Sequence, residues 1–275
     1  MNEERIADCL SQFEKDPLRK IYKRDQGKAL EEHVHIYRSS VVCETDKRGF
    51  PTPDNKSPLE LVVNAPGGTV PLWAEGTVLK WRFQDASMAV FRDPEAAKDY
   101  LRTLFGLGVE LWGIGVPVTF KEVHENWDFE LVVTPSENCG PTGCTLARAF
   151  FPDAGRHELV LFPTLFEQAH QEQVETMAHE LGHVFGLRHF FADVSETAWP
   201  FEKFGEHNKF SIMNYGSDSK MTDNDRADLA ALYMSFWEGS LTNINGTKIV
   251  GVHPYSAGLS TQQPFHLAAK QTDLV

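Results

Sequence analysis

The chain has 275 residues, of which 41% are hydrophobic and 24% are charged, so it can bury a core and wholesale disorder is excluded. It carries 26 basic against 39 acidic side chains, a net charge of −13. That balance argues against nucleic acid or an anionic membrane as a partner, because both require a basic surface.

No apolar run approaches the ~18–20 residues that a membrane span requires. The first twenty residues lack the apolar stretch of a signal peptide. We therefore expect a protein that is cytoplasmic or leaderless unless a leader was removed, that has no membrane partner, and that is a monomer.

The N-terminal part is less regular than the rest. Residues 44–76 contain five prolines and several Gly, Asp and Asn residues, which predicts a winding connector around one short strand, Leu59–Val63. The sequence thus predicts an N-terminal segment, 1–70, that is either pro-segment-like or an integral extension, followed by one domain over 71–275.

From there the patterns become regular. Asp93 and Pro94 predict the start of a long amphipathic helix that ends near Gly113. A further helix is predicted to begin at Thr222, near the C-terminal end of the domain, where Asp225 completes a capping box. The remaining elements are strands Val78–Phe83, Val118–Val123, Phe129–Val133, Ala147–Phe151 and Leu159–Phe162, and a second helix over Gln171–Phe185. This order is typical of an α/β or α+β domain.

The segment HELGHVFGLRH begins at His179. His179 and His183 are four residues apart, so on a helix they share a face and can bind one cation, for which zinc suits imidazole. Glu180 lies where a general base beside a zinc ion is needed. Gly186 can end the helix, so that the chain turns and brings His189 back as a third ligand. Three protein ligands leave one position open, as in catalytic zinc sites. The alternative is a surface helix with incidental histidines.

A second motif, SIMNYG, begins at Ser211. HExxHxxGxxH followed by a methionine turn resembles the signature of the metzincin clan of zinc metalloproteases. In that clan the methionine forms a hydrophobic base beneath the three histidines, and the resemblance gives that place to Met213. Tyr215 is similar to the tyrosine of astacins and serralysins that approaches zinc. Gly182 and Leu187 are more similar to matrixins or serralysins, whereas Phe190 departs from both the astacin and the matrixin pattern.

The resemblance implies an α+β, zincin-like fold. It consists of a twisted mixed sheet with two long helices above an active-site cleft and a small irregular C-terminal subdomain with one helix. The upper subdomain would cover about 71–189 and the lower about 190–275. Met221 to Tyr233 resembles the C-terminal helix of matrixins.

The resemblance also implies a zinc-dependent endopeptidase with one catalytic Zn²⁺ ion held by His179, His183 and His189, and no other cofactor. Zinc lowers the pKa of its bound water toward ~7. Glu180 would take a proton from that water as it attacks a peptide carbonyl. The Tyr215 hydroxyl would stabilise the oxyanion.

The implied partner is a protein or peptide substrate lying extended along an edge strand. The candidate strand is 145–151, although a fully buried strand there is the alternative. Two other functions stay open: a catalytically silent or latent binding module with the metzincin fold, and a zinc amide hydrolase of a small substrate. The complete set of three histidines and a glutamate argues against the first.

Three cysteines have open interpretations. Cys43 lies upstream of the zinc motif and is either a latency switch, as in matrixin propeptides, or an ordinary buried or paired residue. Cys139 and Cys144 form either a disulfide or two free thiols.

Overall fold

The structure is a computed structural model that describes residues 41–42, 62–64, 68–140, 143–189, 201–203, 211–213 and 219–259. The strands are β1 (Val41–Val42), β2 (Val62–Asn64), β3 (Thr69–Trp73), β4 (Val78–Phe83), β5 (Thr119–Glu122), β6 (Phe129–Val133), β7 (Cys139–Gly140), β8 (Gly143–Thr145), β9 (Ala147–Arg148), β10 (His157–Leu161), β11 (Phe201–Lys203), β12 (Asn243–Ile244) and β13 (Thr247–Val252). The α-helices are α1 (Asp85–Met88), α2 (Pro94–Trp112), α3 (His170–Val184), α4 (Asp223–Trp237) and α5 (Tyr255–Leu259).

A five-stranded sheet with the order β5-β4-β6-β10-β9 supports the helices. Four of its strands are parallel, and β9 pairs antiparallel with β10 at one edge. The α+β class with a mixed sheet, predicted from the sequence, is confirmed.

The predicted strand Ala147–Phe151 is shorter in the structure. Only Ala147 and Arg148 pair with β10. The next residues leave the ladder because Phe150 turns into the core, where its ring stacks on His157 with centroids 4.5 Å apart.

Helix α2 begins and ends as predicted. The Asp93 carboxylate accepts a hydrogen bond from the Ala96 N–H at 3.1 Å, and Pro94 occupies the first turn. The helix ends at Trp112, before Gly113. Its buried face consists of Ala97, Tyr100, Leu101, Leu104, Phe105, Gly108 and Trp112.

Helices α2 and α3 pack closely. A Cβ atom on Gly108 would lie 2.7 Å from Met177 Cγ and 3.2 Å from the Ala178 nitrogen, so only glycine allows this approach. The Trp112 indole N–H donates to the Ala178 carbonyl at 2.8 Å. Helix α2 thereby helps to hold α3 in position.

The C-terminal part contains the expected helix, α4, and adds further elements. Strands β12 and β13 form a hairpin, and β13 pairs parallel with β3 over Lys248 to Val252. Helix α5 is hydrogen-bonded to the residue that precedes β6 of the five-stranded sheet. The buried Asp128 carboxylate accepts hydrogen bonds from the Ser256 N–H at 2.6 Å and from its hydroxyl at 3.1 Å.

Two smaller sheets involve the N-terminal segment. Strand β1 pairs parallel with β8, and β2 pairs antiparallel with β11. Strands β7 and β8 form a hairpin that a disulfide between Cys139 and Cys144 closes. Cys43 lies outside the described residues.

Over the described ranges, none of the helices combines the length and the apolar character needed to cross a membrane.

Candidate active site

Helix α3 carries the first two histidines of the motif. Every residue from Gln173 to Val184 is buried, and helix α2 and strand β9 pack against this helix. Burial of both polar and apolar faces is unusual for a surface helix, and charged residues are rarely buried without a role. The reading of this segment as a surface helix with incidental histidines is therefore wrong.

The three histidines converge. His179, His183 and His189 are all buried, and one ring nitrogen from each lies within 4.8 Å of the others. The Nε2 atoms of His179 and His189 are 3.0 Å apart. Such a group could hold one metal ion.

Backbone carbonyls set the tautomers of two of these rings. His179 Nδ1 lies 2.7 Å from the Ile212 oxygen, and His183 Nδ1 lies 2.7 Å from the Leu187 oxygen. A carbonyl only accepts, so each Nδ1 carries the proton and each Nε2 presents a lone pair. Metal-binding histidines are usually oriented in this way by their second nitrogen.

The donor set fits zinc. Imidazole nitrogens are preferred zinc ligands, and two nitrogens that share a tetrahedral zinc ion lie about 3.4 Å apart. The 3.0 Å between His179 Nε2 and His189 Nε2 is close to that value.

Met213 lies directly beneath α3. It is fully buried, and its side chain fills the space that a Cβ atom on Gly182 would occupy. That Cβ would overlap Met213 Sδ and lie 3.0 Å from Trp112 Cζ2. The methionine turn and α3 therefore contact each other at the glycine between the two histidines.

Asp225 ties the methionine turn to α4. Its buried carboxylate accepts hydrogen bonds from the Ser211 hydroxyl at 2.5 Å and the Ile212 N–H at 3.4 Å. It also accepts from the Thr222 N–H at 2.8 Å and hydroxyl at 2.7 Å. Since the Ile212 carbonyl orients His179, Asp225 supports that ring through one intervening residue. The sequence pattern identifies Asp225 only as a helix cap, and nothing local in the sequence points to Ser211 as its partner.

The end of α3 turns at Gly186, which has φ +91, as the motif predicts. The turn returns the chain to the site within three residues and buries His189 completely. The Leu187 carbonyl that orients His183 belongs to the same turn.

Glu180 lies on α3 beside His179 and is only 1% exposed. Tyr215 and Phe190 lie outside the described residues. The edge strand is close to the histidines: β9 contacts α3, and the Phe151 ring lies 5.6 Å from that of His183.

Comparison with known proteins gives limited but consistent matches. No protein-family model matches the sequence. Stromelysin-3, a matrixin, is 29% identical over 123 residues in Mus musculus and 31% identical over 123 residues in Rattus norvegicus. Each match covers 40% of this chain, and the chain spans only a quarter of the length of these relatives.

Among solved structures, myroilysin aligns with a TM-score of 0.40 and 15% identity, over 62% of this chain and 98% of its own. The stromelysin-3 matches support a metalloprotease at partial coverage, and the three histidines could hold a metal ion. The stromelysin-3 matches and the cluster of three buried histidines support a metzincin-clan metalloprotease.

Proposed function

We propose that this protein is a zinc-dependent endopeptidase. The observation that carries the proposal is the convergence of three buried imidazoles, two of which bond a backbone carbonyl through Nδ1 and so present an Nε2 lone pair. The matches to stromelysin-3 support peptide bonds as the substrate, although they cover 40% of the chain.

His179, His183 and His189 would hold one Zn²⁺ ion, which supplies a positive charge that polarises the substrate carbonyl and acidifies water. Glu180 would act as general base, taking a proton from the attacking water and passing it to the leaving amine. Tyr215 would donate its hydroxyl to the oxyanion.

The substrate would lie along the β9 edge of the sheet. Strand β9 has β10 on one side, and it contacts the helix that carries two of the histidines. An extended peptide could pair with the other side of β9 through main-chain hydrogen bonds. An edge strand beside the histidines favours a peptide substrate over a small one.

We also propose that the chain up to the end of β2, within residues 1–70, forms a pro-segment. Strand β1 pairs with β8, which directly precedes the edge strand, and β2 pairs with β11, which lies in sequence between His189 and Met213. The N-terminal segment therefore pairs with one strand that precedes His189 in the sequence, β8, and with one that follows it, β11. A substrate on β9 that extended onto β8 would meet β1 there.

The catalytic proposal is tested by digesting a denatured protein and identifying the fragments by mass spectrometry. The proteins compared are the wild type, the wild type with a zinc chelator, Glu180→Gln, and Glu172→Gln as a matched control on the first turn of the same helix. We expect the untreated wild type and Glu172→Gln to cleave the substrate, and the chelator-treated wild type and Glu180→Gln not to cleave it. Cleavage that survives in Glu180→Gln would contradict the assignment of the general base.

The role of Tyr215 is tested separately with Tyr215→Phe, which keeps the ring. We expect a lower kcat with KM little changed, because the hydroxyl would act in the transition state. An unchanged kcat would remove Tyr215 from the site.

The pro-segment proposal is tested by limited proteolysis between β2 and β3. We expect kcat/KM on a short peptide to rise after removal of the segment, without a change in the cleavage positions. A fall in activity together with lower thermal stability would instead make the segment an integral part of the domain.

A further inference from the structure

The last carbonyls of α3 require hydrogen-bond partners because they lie at a buried helix end. Two of them are satisfied within the turn: the Gly186 N–H donates to the His183 oxygen at 2.8 Å, and the Leu187 N–H donates to the Gly182 oxygen at 2.9 Å. This is the Schellman arrangement, with glycine at the left-handed position. It leaves the carbonyls of Val184 and Phe185 to be satisfied from elsewhere.

Two buried side chains from distant parts of the chain supply those bonds. The Trp73 indole N–H donates to the Val184 oxygen at 2.7 Å, and the Tyr233 hydroxyl donates to the Phe185 oxygen at 2.9 Å. The Tyr233 oxygen also accepts from the Trp73 backbone N–H at 3.4 Å. The two donors therefore form one unit that joins β3 and α4 to the end of α3.

Both side chains are rigidly held as donors. Trp73 is completely buried and Tyr233 is 1% exposed. Burial raises the pKa of Tyr233, so its hydroxyl carries its proton at neutral pH. An indole N–H can only donate.

The turn that these donors hold also sets two metal-site histidines. The Leu187 carbonyl fixes the ring of His183, and His189 follows two residues later. A shift of the Val184 and Phe185 carbonyls would move both the orienting carbonyl and the third histidine. The distance between ligands would then change even though neither ligand is touched.

We infer that Trp73 and Tyr233 are positioning residues of the metal site, which set the separation of His183 and His189 by holding the carbonyls at the end of α3. The inference rests on the proposed function for its effect on turnover, but its effect on metal binding stands by itself. Loss of either donor leaves a buried carbonyl without its partner, and the turn must move to reach another one.

Trp237 provides the matched control. Its indole N–H donates to the Trp73 carbonyl at 3.0 Å, and its ring packs on Tyr233 with centroids 5.3 Å apart. It belongs to the same cluster and makes the same kind of bond, but its acceptor lies on β3 and not on α3. A general loss of packing would affect all three aromatic residues.

The test measures zinc affinity by competition with a chromophoric chelator for the wild type, Trp73→Phe, Tyr233→Phe and Trp237→Phe. The visible spectrum of each Co²⁺-loaded protein reports the ligand geometry, and urea unfolding of each metal-free protein reports its stability. We expect the zinc Kd to rise about tenfold in Trp73→Phe and Tyr233→Phe, as for other groups that orient metal ligands, with an altered cobalt spectrum. The zinc Kd of the Trp237→Phe control should stay within about twofold of the wild-type value.

Equal zinc affinities in all four proteins would overturn the inference, as would affinities that fall only in step with stability. If Trp73→Phe does not fold, Tyr233→Phe decides the question, since it removes a single oxygen atom. On a peptide substrate, kcat should fall with KM little changed.

The two proposals can fail separately. The expected zinc affinities without any peptide cleavage would keep this inference and remove the proposed function. Peptide cleavage by the wild type, together with wild-type zinc affinities in Trp73→Phe and Tyr233→Phe, would support the proposed function and overturn this inference. A wild-type protein that binds no zinc would overturn both.

Discussion

Met213 occupies the place of the side chain that Gly182 lacks. The sulfur and terminal methyl group of the methionine lie against the helix between His179 and His183, with Met213 Cε 3.2 Å from the position of a Cβ on residue 182. The helix that carries the histidines thus contacts the methionine turn through Met213, with Trp112 beside it.

Gly182→Ala should therefore destabilise the protein and weaken metal binding. The added methyl group must displace Met213 or Trp112, and overpacking of this kind costs about 1–3 kcal/mol in the free energy of unfolding. Urea unfolding and zinc affinity would measure the two effects. Gly106→Ala is the matched control, because that exposed helical glycine has nothing within 4 Å of its Cβ position. It should stabilise the protein by roughly 0.5–1 kcal/mol. A stable Gly182→Ala protein with normal zinc affinity would contradict the packing described.

Asp225→Asn should loosen the methionine turn. The carboxylate accepts from Ser211, Ile212 and Thr222, and an amide group would direct N–H bonds at some of these donors. We expect a loss of about 2–3 kcal/mol in the free energy of unfolding. Zinc affinity should also fall, because the Ile212 carbonyl orients His179.

The control for Asp225 is Asp223→Asn on the same helical turn. Asp223 is exposed and pairs with Arg226 at 2.8 Å, and exposed ion pairs contribute little to stability. If the two variants behaved alike in unfolding and in zinc binding, the buried hydrogen bonds of Asp225 would have no special role.

His157 should make the stability depend on pH. Burial lowers the pKa of His157, although Asp153 and Asp128 raise it. The unfolded chain therefore takes up a proton near pH 6.5 that the folded protein resists. The contribution of His157 is present above that pH and is lost as the pH falls below it.

The measurement is urea unfolding of chelator-treated protein at several pH values between 7.5 and 5. His157→Phe, which can keep the stacking on Phe150, should reduce the loss of stability at low pH. A substitution of the exposed His253 by glutamine serves as the control. Parallel pH curves for the wild type and His157→Phe would contradict the prediction.

Removal of the metal should lower the thermal stability. A ligand that binds only the folded state stabilises it by about 2.7 kcal/mol at a free concentration of 100 times its Kd. We expect zinc to raise the Tm of the wild type and to leave that of His189→Ala unchanged, whereas His124→Ala, an exposed histidine, should respond like the wild type. Stabilisation by zinc that persists in His189→Ala would place the ion elsewhere.

Those parts of the fold that depend on local signals are predictable from the sequence. The reciprocal bonds between Thr222 and Asp225 follow from their spacing, and they are present at 2.8 Å and 3.1 Å. The start of α2 at Asp93 follows from the same kind of signal. The three histidines of the site are predictable because the motif places two on one helical face and the third beyond a glycine turn.

Contacts between distant parts of the chain were not accessible in this way. Trp73 and Tyr233 are 160 residues apart, and no spacing rule connects them to the end of α3. The parallel pairing of β13 with β3 joins the two ends of the domain and has no local signature. The disulfide between Cys139 and Cys144 depends on the hairpin that brings the two residues into register.

The most direct test of the zinc endopeptidase is a zinc titration of chelator-treated protein in which bound metal and peptide cleavage are measured together, with the pro-segment removed. We predict that cleavage rises linearly to one equivalent of zinc and then stays constant, and that Glu180→Gln binds one equivalent without cleaving. Cleavage that is present before zinc is added, or that does not follow the occupancy of the histidine site, would contradict the account.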